Sequence, residues 1–339
     1  MKLSDALREL FHSGTGRVGL FLLVVLAAAA TYVVTTFPAQ YGERLWSNPN
    51  IWSDNPKAVP PAWINRFSTE KRPEQMTLEA TAPEDVLEAK AGKKETFRFK
   101  FDYAYTTPPT FLAVTFANVT YAEKPPLITV TLIRPDGKEM RLLRHAVRGP
   151  REGEKGPYVR YEQDPFRSQL SADESTLGAV QEFLENEFKL RRNPEEIQGK
   201  VEQIAFGTPN EDGSAFTPLT GEYTLEVAAT FRGKEDALGL VRFVSGGAVY
   251  GWMGTDSLGR DLAQGLLYGL PVALFIGIVV AVLETAIGVV LGLISGYVGG
   301  YTDLAIQRFS DIVANVPVLP LLIFMLFIVG ASLWVIIFV

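Results

Sequence analysis

Four stretches of the chain carry no Asp, Glu, Lys or Arg, and they limit its possible folds more than any other feature. They are residues 18–42, 262–283, 285–302 and 312–339, and Glu284 alone separates the second from the third. A helix needs about 20 largely apolar residues to cross the roughly 30 Å of hydrocarbon in a bilayer. A soluble core helix seldom stays apolar on every face for so long. The pattern therefore predicts an α-helical multi-pass membrane protein.

Composition excludes several other classes. The chain has 339 residues, a formal net charge of −6, no cysteine and two histidines, His12 and His145. Without cysteine there is no disulfide framework, thiolate metal ligand or cysteine nucleophile, and two distant histidines do not suggest a zinc site. The modest acidity gives no reason to expect nucleic-acid binding. We expect a lipid bilayer as a partner, no nucleic acid, and no metal or cofactor in this chain.

The amino-terminal part predicts a retained membrane helix. Residues 1–17 carry three basic and two acidic side chains and precede the apolar run 18–37. That run is longer than the ~7–15 apolar residues of a signal peptide, so a transmembrane helix is favoured over a cleaved signal. Basic residues ahead of a first span favour a cytoplasmic amino terminus. The segment after this helix is then expected outside the cell.

Residues 38–245 predict a large extracytoplasmic β-rich, sandwich-like domain. Apolar and polar residues alternate as half-buried strands require, most clearly at Phe97, Phe99 and Phe101. Two more such runs, 127–133 and 139–143, flank the turn signal Pro-Asp-Gly-Lys at 135–138. Between later strand-like runs, residues 172–190 predict a helix with Ser171 as its N-cap.

The remainder is divided by its apolar runs. We predict an outer motif segment at 246–270, a second span at 271–297, a cytoplasmic loop at 298–311, a third span at 312–330, and the start of a fourth at 332–339. Eight residues make only about 12 Å of helix, well short of a crossing. The native chain is therefore expected to continue past Val339.

The most specific pattern is Gly254-Thr255-Asp256-Ser257-Leu258-Gly259-Arg260-Asp261. It is followed, in order, by Gly296-Tyr297-Val298-Gly299-Gly300, Asp303, Arg308, Asp311 and Pro317. This ordered set resembles the inner-membrane permease subunits of dipeptide-, oligopeptide- and nickel-type ABC importers, and is most similar to the second, C-type, of their two pore subunits.

The resemblance implies a type I ABC importer permease fold and a non-enzymatic function. The chain would be a pore-forming permease subunit for peptide-like solutes in the cell (inner or plasma) membrane, with residues 38–270 extracytoplasmic. The implied partners are a second homologous permease subunit, two cytoplasmic ABC ATPases that hold ATP and magnesium, and an extracytoplasmic solute-binding protein.

The outer motif superficially imitates a phosphate-binding loop. Its fixed residues are Gly254, Thr255, Asp256, Gly259, Arg260 and Asp261. A phosphate-binding loop needs lysine followed by Ser or Thr, and an aspartate in the last position would repel phosphate. We expect instead a tight turn in which the two aspartates and the arginine form an ion-pair lattice. A structural role is favoured over direct contact with substrate.

Glu284 is predicted near the middle of the second span. A charge there costs ~3 kcal/mol on insertion scales, so the side chain should face protein or water. Two interpretations stay open: Glu284 lines the translocation path and contacts cationic cargo, or its carboxyl is hydrogen-bonded between helices. Small residues recur every four positions on the same predicted helix and suggest a helix-packing face; they are Gly288, Gly292, Gly296 and Gly300.

The predicted inner loop contains Asp303, Arg308 and Asp311. The last two are three residues apart and can pair on a helical face. A solvated helix surface is favoured over contact with an ATPase. Pro317 lacks an amide donor and should begin or kink the third helix.

Two other functional classes compete with transport. The chain could be a membrane-anchored extracytoplasmic binding or adhesion protein that acts through its β-rich domain. A membrane-embedded enzyme ranks last, because no paired catalytic residues occur within the predicted spans.

Overall fold

The computed structural model describes residues 11–38, 40–89, 92–330 and 332–338. The chain divides into two compact units. One is Trp46–Ala263, and the other combines Met1–Leu45 with Gln264–Val339.

The helices of the described residues differ widely in length. They are α1 (Gly14–Thr36), α2 (Glu174–Phe188), α3 (Pro194–Ile197), α4 (Val201–Ala205), α5 (Leu262–Val298), α6 (Gly300–Ala314), α7 (Val318–Val329) and α8 (Leu333–Phe338). Among them, α1 and α5 are long and apolar enough to span a membrane. This finding is consistent with association of the chain with a membrane. Helices α6 and α7 meet at a 76° bend and together make at most one further span.

The predicted fold class, an α-helical multi-pass membrane protein of the ABC-permease type, is wrong. In the part of the chain that the structure describes, two helices qualify as membrane spans, and two five-stranded antiparallel sheets form the largest folded domain. The absence of charged residues failed as a guide because it does not show where a helix is interrupted. The apolar run 312–330 is interrupted between Ala314 and Val318, where Pro317 lacks the amide that a continuous helix needs.

Strands dominate the Trp46–Ala263 unit. They are β1 (Met76–Ala80), β2 (Asp85–Ala89), β3 (Gly92–Tyr103), β4 (Leu112–Tyr121), β5 (Leu127–Ile133), β6 (Glu139–Ala146), β7 (Tyr158–Arg160), β8 (Phe166–Gln169), β9 (Gly207–Pro209), β10 (Phe216–Pro218), β11 (Gly221–Phe231) and β12 (Ala237–Ser245). The predicted strands around Phe97–Phe101, 127–133 and 139–143 are confirmed. So is the turn between the last two, where Gly137 has φ +76° and donates its amide to the Arg134 carbonyl at 3.0 Å.

These strands form two five-stranded antiparallel sheets and a small two-stranded one. One sheet has the order β1-β12-β4-β7, with β8 also paired to β4, and the other has the order β2-β3-β11-β5-β6. Their apolar faces share one core: the ring of Phe101 on β3 lies 5.9 Å from that of Phe243 on β12. Packing of two sheets face to face is the arrangement of a sandwich.

The helical insert packs on the sheet that contains β6. Helix α2 begins after Asp173, whose carboxylate accepts the Ser175 amide at 2.9 Å, and the Thr176 hydroxyl donates to the Leu142 carbonyl on β6. The predicted helix is therefore confirmed, but its N-cap is Asp173 and not Ser171. Aspartate at this position satisfies an amide that the helix leaves without a partner.

A buried arginine joins the insert to the sandwich. Arg134, directly after β5, has a fully buried side chain that pairs with Asp136 at 3.0 Å. Its guanidinium also donates to the carbonyls of Ile204 at 2.6 Å and Gly207 at 2.9 Å, and it lies 5.3 Å from the ring of Phe183. Every one of these partners would lose a hydrogen bond or a packing contact if the guanidinium were removed.

We predict that Arg134→Met destabilises the sandwich by about 3 kcal/mol. Methionine keeps most of the volume but leaves two buried carbonyls and Asp136 without their donor, and breaking a buried pair typically costs about 3–5 kcal/mol. The measurement is brief proteolysis of the full-length chain in increasing urea, with the surviving fragments identified by mass spectrometry.

The matched control is Arg141→Met. Arg141 pairs with Glu182 at 2.9 Å between the same sheet and the helical insert, but both side chains are about half exposed. An exposed pair contributes at most ~1 kcal/mol. Equal urea midpoints for the two variants would contradict the anchoring role of Arg134.

Candidate functional site

The outer motif folds into a loop between β12 and α5 that is organised around one carboxylate. One oxygen of Asp256 accepts the amides of Leu258 and Arg260, both at 2.9 Å, and the other accepts Arg260 Nε at 2.7 Å. Partial burial opposes ionisation of Asp256, but the amide and guanidinium of Arg260 and the amide of Leu258 outweigh it. They hold the pKa of Asp256 below its usual value.

The loop is fastened to a segment some 200 residues earlier in the chain. Thr255 is buried; its amide donates to the Val59 carbonyl at 3.0 Å and its hydroxyl donates to the Pro56 carbonyl at 2.7 Å. The side-chain amide of Asn55 donates to the Gly259 carbonyl at 3.0 Å. These bonds hold the loop at both Thr255 and Gly259.

Two motif glycines are required by this close approach. Gly254 has φ +77° and Gly259 has φ +82°, a region that residues with a side chain seldom adopt. A Cβ atom on Gly254 would lie 2.2 Å from the Val59 carbonyl oxygen, and one on Gly259 would lie 3.0 Å from that of Trp52. The spacing of the two glycines is thus explained by the backbone on which the loop rests.

The predicted ion-pair lattice exists as one pair and one helix cap. Arg260 pairs with Asp256, and its guanidinium carbon lies 4.6 Å from the ring centroid of Trp46, a cation–π geometry. Asp261 accepts the Ala263 amide at 2.8 Å and so caps the amino terminus of α5. Both charges serve the loop and the helix that follows it.

Sequence reasoning missed the partners of this loop. They are Trp46, Asn55, Pro56 and Val59, in a segment that contains two short helical turns, Tyr41–Trp46 and Pro49–Trp52. Its richness in tryptophan, proline and asparagine predicted an irregular chain but not what that chain contacts. The composition of the segment was the signal that could have been used, because tryptophan and proline lose little conformational entropy when another segment packs against them.

Glu284, which was predicted for the translocation path, and three of the four glycines predicted for helix packing lie on α5. Glu284 is exposed, and no side chain in the described part of the chain pairs with it. Gly288, Gly292 and Gly296 face open space, so a packing partner for them stays a prediction. Gly300 does not continue their row: α5 ends at Val298, and Gly300 opens α6 with φ +57°.

The predicted inner-loop residues lie on helix α6. Asp303 accepts the hydroxyl of Ser295 and, at 2.9 Å, the side-chain amide of Gln307. Arg308 and Asp311 approach to 3.9 Å, with both side chains largely exposed. Contact of this surface with an ATPase stays a prediction.

Pro317 immediately precedes α7. This position confirms that it begins a helix, and it lies at the 76° bend.

The charged side chains of the motif are engaged within the loop and at the start of α5. Within the described ranges there is no group of three or more His, Asp or Glu residues that could hold a metal ion. The motif aspartates are engaged with backbone amides and Arg260. The arrangement is suited to holding a rigid entrance to α5.

No protein-family model matches the chain, and no curated protein matches it. Two solved structures show weak likeness. The structure of infectious bursal disease virus, Gx strain, has 14% identity over 52% of this chain and 32% of that chain, with a TM-score of 0.23. The structure of TmCBM61 in complex with β-1,4-galactotriose has 12% identity over 55% of this chain and 90% of that chain, with a TM-score of 0.16. Scores this low carry no argument about function.

We predict that Asp256→Asn loosens the outer loop. Asparagine removes the charge from three hydrogen bonds, and a bond to a charged group contributes about 1.5–3 kcal/mol. Hydrogen exchange at the amides of Leu258 and Arg260 should therefore accelerate by about tenfold or more, since ~1.4 kcal/mol is a factor of ten.

The effect of Asp256→Asn on hydrogen exchange should depend on pH. An unperturbed aspartate titrates near ~3.9, and the pKa of Asp256 is lower in the folded loop. Its contribution is therefore present above pH ~3.9 and lost as the pH falls through the lower folded value. The difference between wild type and variant should shrink below that point. Ser257→Ala, at an exposed neighbouring position, should exchange like wild type; equal exchange in all three chains would refute the role of Asp256.

Proposed function

We propose that this chain is a membrane subunit of an ATP-driven importer of peptide-like solutes in the cell (inner or plasma) membrane. Its apolar helices would contribute to a path shared with a second, homologous permease subunit. Two cytoplasmic ABC ATPases would hold ATP and magnesium and supply the energy, and an extracytoplasmic solute-binding protein would deliver the solute. The chain itself catalyses no covalent reaction in this proposal.

The observation that carries the proposal is the rigid loop at the entrance to α5. The residues that resemble the importer motif are those that make it rigid: Asp256 and Arg260 pair, Thr255 is buried, and Asp261 caps the helix. An ordered loop at the first residues of an apolar helix is a place where docking of a delivery protein would act on that helix. The motif thus has a physical role consistent with the resemblance.

The proposed topology follows from charge. Basic residues ahead of α1 favour a cytoplasmic amino terminus, and one crossing by α1 then puts Trp46–Ala263 outside the cell. The domain would meet the solute-binding protein there. Helix α5 would return the chain to the membrane.

A second candidate function is favoured by the size of the sandwich. Trp46–Ala263 has its own continuous core and two five-stranded sheets, far more than a connecting loop needs. A membrane-anchored extracytoplasmic binding or adhesion protein would use this domain directly. ATPase partners distinguish the two functions, because an adhesion protein has no need of them.

We predict that the full-length chain, gently extracted from its own membrane and purified by an affinity tag, retains a homologous permease and two copies of an ABC ATPase. Native mass spectrometry measures this composition directly. The control is a tagged, shortened chain that contains α1 and Trp46–Ala263 but lacks the later helices. This control should retain no ATPase. Recovery of the intact chain without any ATPase would reject the importer and favour the binding protein.

We further predict that Glu284→Gln lowers solute uptake by about tenfold in the purified, lipid-reconstituted complex, while the amount and thermal stability of the complex stay unchanged. Loss of one charged contact in the path corresponds to about 1.4 kcal/mol. Thr285→Val is the matched control, because Thr285 is the next residue on α5 and its hydroxyl donates to the Ala281 carbonyl of the same helix. Unchanged uptake in Glu284→Gln would show that Glu284 does not contact cargo.

A further inference from the structure

An exposed aromatic patch lies beside the outer loop. We define it by Trp63, Phe67, Trp252 and Met253, whose exposed fractions are 48%, 84%, 82% and 44%. Large apolar side chains exposed together, in contrast to scattered ones, mark a surface that is covered by a membrane or by another molecule.

The patch is built rigidly from two distant segments. The Trp63 indole donates to the Trp252 carbonyl at 3.0 Å, and the Ala62 amide donates to the Gly251 carbonyl at the same distance. The ring of Phe67 meets that of Trp63 edge-on, with centroids 6.3 Å apart. The four side chains are therefore held outward by backbone that cannot collapse over them.

Its position in the chain is next to the start of α5. Met253 is followed by Gly254, whose carbonyl accepts the amide of Leu262, the first residue of that helix. Helix α5 has 37 residues, about 55 Å, which exceeds both the ~30 Å hydrocarbon and the ~40–45 Å total thickness of a bilayer. A helix of this length can cross a bilayer and still reach the headgroup layer with its first turn, to which Gly254 beside the patch is bonded.

Cationic side chains surround the patch. Arg66, Lys71 and Arg72 are exposed, and none has an ion-pair partner among the described residues. A groove of about 800 Å³ at this surface is lined by Trp63, Arg66, Lys71, Glu74 and Trp252. The local cations outnumber the acids Glu70 and Glu74.

We propose that the aromatic patch is seated in the phospholipid headgroup layer of the bilayer that α5 enters. Tryptophan concentrates at this depth because its ring is apolar and its N–H is polar. The long stems of Arg66 and Lys71 lie along apolar surface while their charged ends reach lipid phosphate. The surface would fix the distance between the sandwich and the membrane, whatever the chain transports or binds.

Site-directed spin labelling tests this proposal without background, because the chain contains no cysteine. The full-length chain carries one nitroxide at a time, on Phe67→Cys or Trp252→Cys, in phosphatidylcholine–phosphatidylglycerol nanodiscs. Neither substitution touches the backbone bonds that shape the patch. The control is Leu87→Cys on β2, another exposed apolar side chain in the same unit.

The measured quantity is the ratio of collision rates with oxygen, which partitions into lipid, and with a water-soluble nickel chelate. We expect this ratio to be several-fold higher at positions 67 and 252 than at 87. If positions 67 and 252 gave the same ratio as position 87, the patch would face water. Low collision rates with both reagents would mean that protein covers it. Either result would overturn the proposal, and intact sandwich fragments after brief proteolysis would show that the labelled chains are folded.

Discussion

The pairing of β3 with β11 is the constraint on which the sandwich depends. Eleven consecutive residues pair in antiparallel register across a separation of more than 100 residues, with Phe99 opposite Leu225 and Phe101 opposite Tyr223. Side chains alternate between faces, so a slip of one residue would turn the whole phenylalanine row from the core to water. With that register set, β5 and β2 join on either side, and the insert is held against this sheet by Arg134.

The outer loop depends on a second set of long-range contacts. The outer loop is short and contains Gly254 and Gly259, with Gly251 just before it. It would be mobile if it were isolated. It becomes rigid because Thr255 and Gly259 bond to residues 55–59 and because Arg260 lies over Trp46. The same fastening holds the aromatic patch outward. A single local structure therefore unites the motif, the helix cap and the proposed membrane contact.

Some of the fold was predictable from local pattern, and some was not. Alternation around Phe99 identified β3, and the turn signal at 135–138 identified the β5–β6 hairpin, because both depend on neighbours in sequence. The N-cap of α2 was displaced from Ser171 to Asp173, since either residue suits that position and packing decides between them. The multi-pass interpretation failed because the break at Pro317 and the extent of the sheets are invisible to a count of charges.

Sequence by itself determined where the chain is apolar enough for a membrane, which segments extend as strands, and that residues 254–261 form a tight turn. These are properties of a few adjacent residues and of backbone sterics. Tertiary structure decided which strands pair, that Arg134 is buried, and that Asp256 engages Arg260 while Asp261 caps α5. It also decided that Trp63 and Trp252 share one surface. Such contacts join residues up to about 200 positions apart, and their energy depends on burial and geometry that no local pattern encodes.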